Sequence, residues 1–329
     1  MTENSHFKFS VVIPTFNRAS DLKRCLDALR MQTFLDFETI IVDNGCTDGT
    51  AELLKHYSVR VVKDVTRNVT HLFNAGWKSA KAGIVVFTND DAQPIPTWLE
   101  EINLAFEKFP DAAAVGGPTV LPKESMNNQE MIRLDAQAKK SWWLKPFAAV
   151  YESLVLGGKF REIGVLCDSG AYSVGGSLIE AMELPAPIYV DLLSITNAAI
   201  KLNVLKELNG LDENFKFTHG DGDLFVRMRK KGLKLIFTPQ ALVWHHVNPG
   251  GDTRAAFWRG RDQAFFLKKC IRPKTIAGRF RLMLNVLFFN AFWVYKAAQK
   301  LDLSFLNGIS GYFRGLKDFK QARKAGNVS

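Results

Sequence analysis

The first ninety residues alternate between short apolar runs and stretches with helical spacing. Residues 10–15 form an apolar run that stops at Pro14-Thr15, and residues 38–43, 59–62 and 84–87 repeat the pattern. Between the first two runs, Leu22, Cys25, Leu26 and Leu29 recur at three- and four-residue intervals, which predicts a helix over 21–31. Helices are likewise predicted over 51–57 and 72–81. Strands alternating with helices of this size predict a parallel sheet with right-handed crossovers. Further on, the pattern predicts a helix over 97–109 and a strand over 112–120 interrupted by Gly116-Gly117. Strands follow over 187–191 and 197–201. A helix over 204–208 stops at Asn209-Gly210. A helix over 224–231 then precedes strands over 233–237 and 241–246. Residues 121–165 give no clear period.

Composition narrows the class. Hydrophobic residues make up 47% of the chain, so it is globular. The four cysteines lie far apart with no C-x-x-C pair, which points to a reducing compartment and away from a zinc site or disulfide frame. The first nine residues are polar and lack an apolar signal core, so export is not expected. The net charge of +10 is uneven: residues 252–329 hold 16 Lys+Arg against 4 Asp+Glu, leaving a body of −2. A near-neutral body with a basic extension predicts docking on an anionic surface.

That extension interleaves Phe257, Trp258, Phe265 and Phe266 with cations, and an uncharged run of 14 residues covers 282–295. The run is shorter than the ~20 residues of a spanning helix. It is expected to lie in a membrane interface on the cytoplasmic face, through residues 252–329. A helical hairpin packing back on the body is the alternative. The unbroken apolar run argues against nucleic acid as the partner.

The chemistry-bearing residues gather at strand ends. The run over 84–87 ends in Thr88-Asn89-Asp90-Asp91. Acids past a buried strand occupy the edge where open α/β sheets bind ligands, and adjacent carboxylates call for a cation. A plain turn toward Pro94 is the competing reading. Neither a G-x-G-x-x-G nor a G-x-x-x-x-G-K-[ST] motif is present, which disfavours dinucleotide and P-loop enzymes. A bound nucleotide would rely on Pro14, Thr15, Asn17, Arg18 and Asp43, although Asp43 alone could equally cap a turn. A second acidic group, Asp221 and Asp223, opens the 224–231 helix. It offers either a helix cap or a general base. His245 and His246 end the last strand and could join a carboxylate metal site.

In order along the chain, Val12 to Arg18, Val42 to Thr50, Phe87 to Ala92, and Gly220 to Leu224 with Arg227 and His245 resemble the signatures of family 2 inverting glycosyltransferases. The resemblance spans residues 8–250. It implies a GT-A fold: a Rossmann-like, mostly parallel α/β sheet flanked by helices, with a nucleotide-binding half over 1–91, a metal and acceptor half over 92–250, and a helical basic extension over 251–329. It also implies a nucleoside diphosphate sugar donor and Mg²⁺ or Mn²⁺ held by Asp91 with His245 (or His246). Asp221 falls on the catalytic base, and Asn89 and Asp90 lie at the nucleotide. Asp223, Trp142 and Trp143 are expected on the acceptor side. A lipid-linked or surface-glycan acceptor follows, with a homo-oligomer left open. Two positions depart from the family pattern: Asn89 replaces the first acid of D-x-D, and Gly220 replaces a glutamate. The Q-x-x-R-W motif of processive members is absent, which implies transfer of single sugars. The competing readings are a nucleotidyltransferase-like enzyme and a membrane-docked binding protein with a decayed site.

Overall fold

The computed structural model describes residues 7–122, 142, 144–247 and 253–326. Strands β1 (Phe9–Thr15), β2 (Phe37–Asp43), β3 (Arg60–Lys63) and β4 (Ile84–Phe87) run parallel in the order β3-β2-β1-β4. Their apolar runs are nearly continuous because both faces are covered. Val12, Ile40, Val42 and Val85 face helix α3 (Val69–Lys78), whereas Val11, Ile13, Ile41 and Val86 face helices α1 (Ala19–Arg30) and α4 (Trp98–Lys108). A short helix, α2 (Thr50–Leu54), follows the loop after β2. Helix α3 starts earlier than its apolar period suggests, because the Asn68 side chain caps the N–H groups of Thr70 and His71.

The sheet then changes direction. Strand β9 (Ala198–Lys201) lies antiparallel between β4 and β6 (Ala112–Gly116). Strand β10 (Lys234–Phe237) is parallel to β6, and β8 (Ile188–Tyr189) pairs antiparallel at the far edge. A second sheet has the order β5-β11-β7, from Ala92–Pro94, Val243–His245 and Thr119–Val120. The strand expected over 112–120 is therefore two strands in different sheets. Gly117 permits the handover, since a Cβ there would sit 2.2 Å from the Ala241 carbonyl oxygen.

Helix α5 (Lys145–Val150) runs on into a π-turn at Tyr151–Val155; α6 (Leu202–Leu208) and α7 (Gly220–Lys230) flank the loop before the second acidic group. The basic extension forms α8 (Thr253–Cys270), α9 (Ile276–Lys300) and α10 (Asn307–Lys324). The change in composition after residue 250 coincides with no gap in the core. Phe265, Phe266 and Leu267 of α8, with Ile271 just after it, share one cluster with Val85 and Phe87, so these aromatics face the protein and not a membrane. Helices α8 and α10 approach closely through glycine: a Cβ on Gly311 would lie 2.0 Å from the Phe257 carbonyl oxygen, and one on Gly315 would lie 2.1 Å from that of Arg261. Among the described residues no helix is long and apolar enough to cross a membrane.

Candidate active site

The parallel pairing of β1 with β4 brings Thr15, Arg18, Asp90 and Asp91 to one sheet edge. The Thr15 hydroxyl donates to Asp90 Oδ2 at 2.8 Å. The Arg18 guanidinium spans both acids, 3.2 Å from Asp90 Oδ1 and 3.1 Å from Asp91 Oδ2, and also holds Asp21. Strand β11 pairs with β5 so that His245 lies opposite Ala92, and its Nε2 reaches Asp91 Oδ1 at 3.1 Å. His246 turns to the other side and meets Gln93 Oε1 at 2.8 Å. Of the two histidines, His245 is thus the one at the carboxylate. Burial pushes Asp90 up to about 6 despite Arg18. Burial acts the same way on Asp91, but His245 and Arg18 outweigh it and hold that carboxyl below its ordinary value.

These residues fit a divalent cation in part. Asp91 and His245 offer one oxygen and one imidazole nitrogen in contact, a donor set compatible with Mg²⁺ or Mn²⁺. Among the described residues no group of three or more His, Cys, Asp or Glu is placed to hold a metal ion. Phosphate oxygens or water would have to complete the shell.

The loops after β1 and β2 are tied together. Asn17, at a positive φ of 51°, accepts from the Thr47 N–H at 2.7 Å, and Asp43 Oδ1 accepts from Cys46 N–H at 2.8 Å. Asp43 therefore caps the turn, as its residue type allows, at the carboxyl end of β2. Pro14 sits in β1 opposite Val42. The Arg67 guanidinium lies 3.9 Å from the centre of the exposed Phe16 ring, a pairing the sequence pattern did not reveal.

Asp221 stands in the first turn of α7, which begins four residues before its apolar period. Its Oδ1 accepts from Gly222 N–H at 2.8 Å, and the Ile195 N–H lies 3.4 Å from its Oδ2. The next residue of that turn, Thr196, takes the Thr88 hydroxyl on its carbonyl at 2.8 Å and the Asn89 amide on its own hydroxyl at 3.0 Å. One short turn thus links the end of β4 to Asp221. Gly220 has a steric reason: a Cβ there would lie 2.2 Å from the buried Thr70 methyl, so a glutamate would collide with α3.

His219 was not expected and has no motif to flag it. It adopts a positive φ of 62°, stacks on Phe266 at 5.1 Å, and meets the Tyr172 hydroxyl through Nδ1 at 3.0 Å. Burial pushes its pKa down to about 4, so the ring is neutral near pH 7.

One acceptor-side expectation changes. Asp223 is fully buried and bound by Arg227 Nε at 2.8 Å and Lys269 Nζ at 2.6 Å. It anchors α7 to α8 and has no surface to offer a ligand. Trp142 is 88% exposed, and Trp143 lies outside the described residues.

Residues 10–165 match the family model described as glycosyl transferase family 2. Glycosyltransferase AglE of Haloferax volcanii is 31% identical over 99 residues, covering 28% of this chain and 33% of that protein. The N-acetylglucosaminyl-diphospho-decaprenol L-rhamnosyltransferase of Mycobacterium tuberculosis is 24% identical over 273 residues, 78% of this chain and 79% of its own. The mannosyltransferase PcManGT of Pyrobaculum calidifontis, solved in complex with GDP-Man and Mn²⁺, superposes with a TM-score of 0.54 at 17% identity over 94% of this chain and 87% of its own. The chain spans 33%, 17% and 34% of the lengths of the first curated relatives it matches. With the strand-end acids, the matched model and the shared architecture together, residues 10–165 match glycosyltransferase family 2, and the chain has the GT-A fold.

Proposed function

We propose that the chain is an inverting, non-processive glycosyltransferase. It moves one sugar from a nucleoside diphosphate sugar to a hydroxyl of a lipid-linked or surface-glycan acceptor at the cytoplasmic face of a membrane. The observation that carries this reading is the turn Ile195–Asn197, which touches Asp221 on one side and Asn89 on the other. A diphosphate edge and a carboxylate base on one wall suit a single displacement from opposite faces of the sugar. Asp221 takes the proton of the attacking hydroxyl. Arg18 turns its guanidinium toward the leaving diphosphate. The joined loops at Asn17, Asp43 and Thr47 hold the nucleoside.

A diphosphate arriving beside Asp90 and Asp91 meets two carboxylates against one guanidinium. Mg²⁺ or Mn²⁺ held by Asp91 and His245 would supply the positive charge that stabilises the leaving group. The GDP-Man and Mn²⁺ in PcManGT and the lipid diphosphate in the rhamnosyltransferase's name support donor, metal and acceptor class. The test is a thermal-shift panel of UDP, GDP, TDP and CMP with and without Mn²⁺. A metal-dependent rise with one nucleotide is expected. No rise with any of them overturns the reading in favour of a decayed site.

A further inference from the structure

The outer face of α9 carries Ile276, Phe280, Met283, Leu287 and Val294, each exposed by half or more. Their spacing of four, three, four and seven residues follows one side of a helix. The opposite side is built into the protein, with Asn285, Trp293 and Ala297 buried. Against α9 packs the segment after α5, through the Tyr151 and Phe288 rings at 5.3 Å. That neighbour leaves Phe147, Val150 and Leu154 exposed at i, i+3 and i+7. Two apolar rows on adjoining helices exceed the scattered exposure normal for a soluble surface.

The charges beside these rows are mainly positive: Glu152 is the acid on the continuation of α5, and Asp168 is paired with Arg281 at 3.6 Å. Residues 276–300 contain no Asp or Glu, and exposed Lys145, Arg272, Lys274 and Arg279 lie at their ends. Helices α8 and α10 turn Phe265, Phe266, Tyr312 and Phe319 inward, so the basic extension does not present its aromatics uniformly.

We infer that the outer face of α9, with the exposed row of α5 and its continuation, docks on an anionic bilayer. The inference rests on the membrane-face reading above and names the surface that meets the lipid. Apolar side chains enter the interface while the flanking cations meet lipid phosphates. A second copy of the chain would offer these cations few acids on the same face, Glu152 and an Asp168 already paired with Arg281. The arrangement also reaches the site. On its inner side, α9 holds the Ser169 carbonyl through the Asn285 amide at 2.9 Å. Ser169 belongs to the hairpin closed by the Leu166–Tyr172 bridge, and Tyr172 touches His219, two residues before Asp221. A bilayer on the outer face therefore lies one helix away from the acceptor wall of the site, which suits an acceptor whose sugar is carried on a lipid.

The test is co-sedimentation of the full chain with phosphatidylcholine vesicles, with and without phosphatidylglycerol. Binding that requires phosphatidylglycerol is expected, falling roughly tenfold or more in Phe280→Glu/Leu287→Glu and in Lys274→Glu/Arg279→Glu. The nucleotide-dependent thermal shift should be unchanged in both variants. No vesicle binding by the unmodified chain overturns the inference, as does binding that both variants retain. A dimer in size-exclusion chromatography that Phe280→Glu/Leu287→Glu dissociates also overturns it, by assigning the face to a second copy. Loss of the nucleotide shift in the unmodified chain would instead strike the transferase reading and leave the vesicle result standing.

Discussion

The Asp262 carboxylate accepts the backbone N–H of Phe217 at 2.7 Å, and the same oxygen takes those of Lys216 and Thr218 at 3.0 Å each. Its other oxygen pairs with Arg261 at 2.8 Å. A residue of the basic extension, fully buried, thereby fixes the loop that leads to His219 and Asp221. Asp262→Asn should weaken this seat, since an amide supplies one acceptor oxygen where the carboxylate supplies two. We expect a loss of roughly 3 kcal/mol in stability. In the surviving folded protein, kcat should fall about tenfold to a hundredfold with the donor KM unchanged. Steady-state kinetics checks the split, and a parallel rise in donor KM would count against a positioning role.

Asp221→Asn keeps the shape of the first turn of α7 and removes the proposed base. Turnover should fall by roughly a factor of a hundred to ten thousand. The nucleotide-dependent thermal shift should persist, because Asp221 lies across the turn from the phosphate edge. Retained turnover in a sugar-transfer assay would remove Asp221 from the mechanism.

Asp91→Ala and His245→Ala test the other edge. Each removes one of the two donors in contact at 3.1 Å. The Mn²⁺-dependent part of nucleoside diphosphate binding, read by calorimetry, should drop about tenfold or more in each. His246→Ala should leave it intact, because that ring is turned to Gln93. Equal losses in both histidine variants would contradict this assignment.

The parallel strands and the site edge were legible because buried parallel strands write themselves as apolar runs, and because Asn89, Asp90 and Asp91 break such a run abruptly. The antiparallel insertion of β9 was not, since direction leaves no mark on a run of four residues. The role of Asp223 was misread because an acid in a helix's first turn looks the same whether it faces solvent or Lys269, 46 residues later. The extension was half legible: its helices and charge were, but the packing of α8 against α10, which covers Phe265 with Phe319, goes through glycines whose close approach has no periodic signature.

Those glycines make a stability prediction. Gly311→Ala places a methyl group 2.0 Å from the Phe257 carbonyl oxygen, a backbone atom that cannot rotate away. Helices α8 and α10 must separate, at a cost of roughly 1–3 kcal/mol. Gly326→Ala is no control, because its φ of 73° is itself unfavourable for alanine. Gly83→Ala has open space and serves better. Chemical denaturation should show the Gly311 variant clearly below wild type and the Gly83 variant close to it.

His71 gives a pH dependence with a definite sign. Its Nδ1 lies 2.8 Å from Glu213 Oε2 and its Nε2 lies 2.9 Å from Asp64 Oδ2, and only the protonated ring donates to both. The bond to Glu213 is the main cause that raises its pKa; burial opposes it and Asp64 adds to it. Because the folded value exceeds the unfolded one, the clasp is fully present below about 6.5 and is lost as pH rises through the raised folded value. The two carboxyls are held below their ordinary values, so their own contribution is lost only in acid. Stability measured by denaturation should therefore decline as pH rises above about 6.5, through the raised folded value. The change should be on the order of 1 kcal/mol, since the ring is partly exposed. His71→Gln should flatten that limb while leaving the acid limb in place. Because the clasp joins α3 to the loop before Asp221, the same limb should appear in the stability of the nucleotide-bound protein. An unchanged alkaline slope in His71→Gln would show that another group sets it.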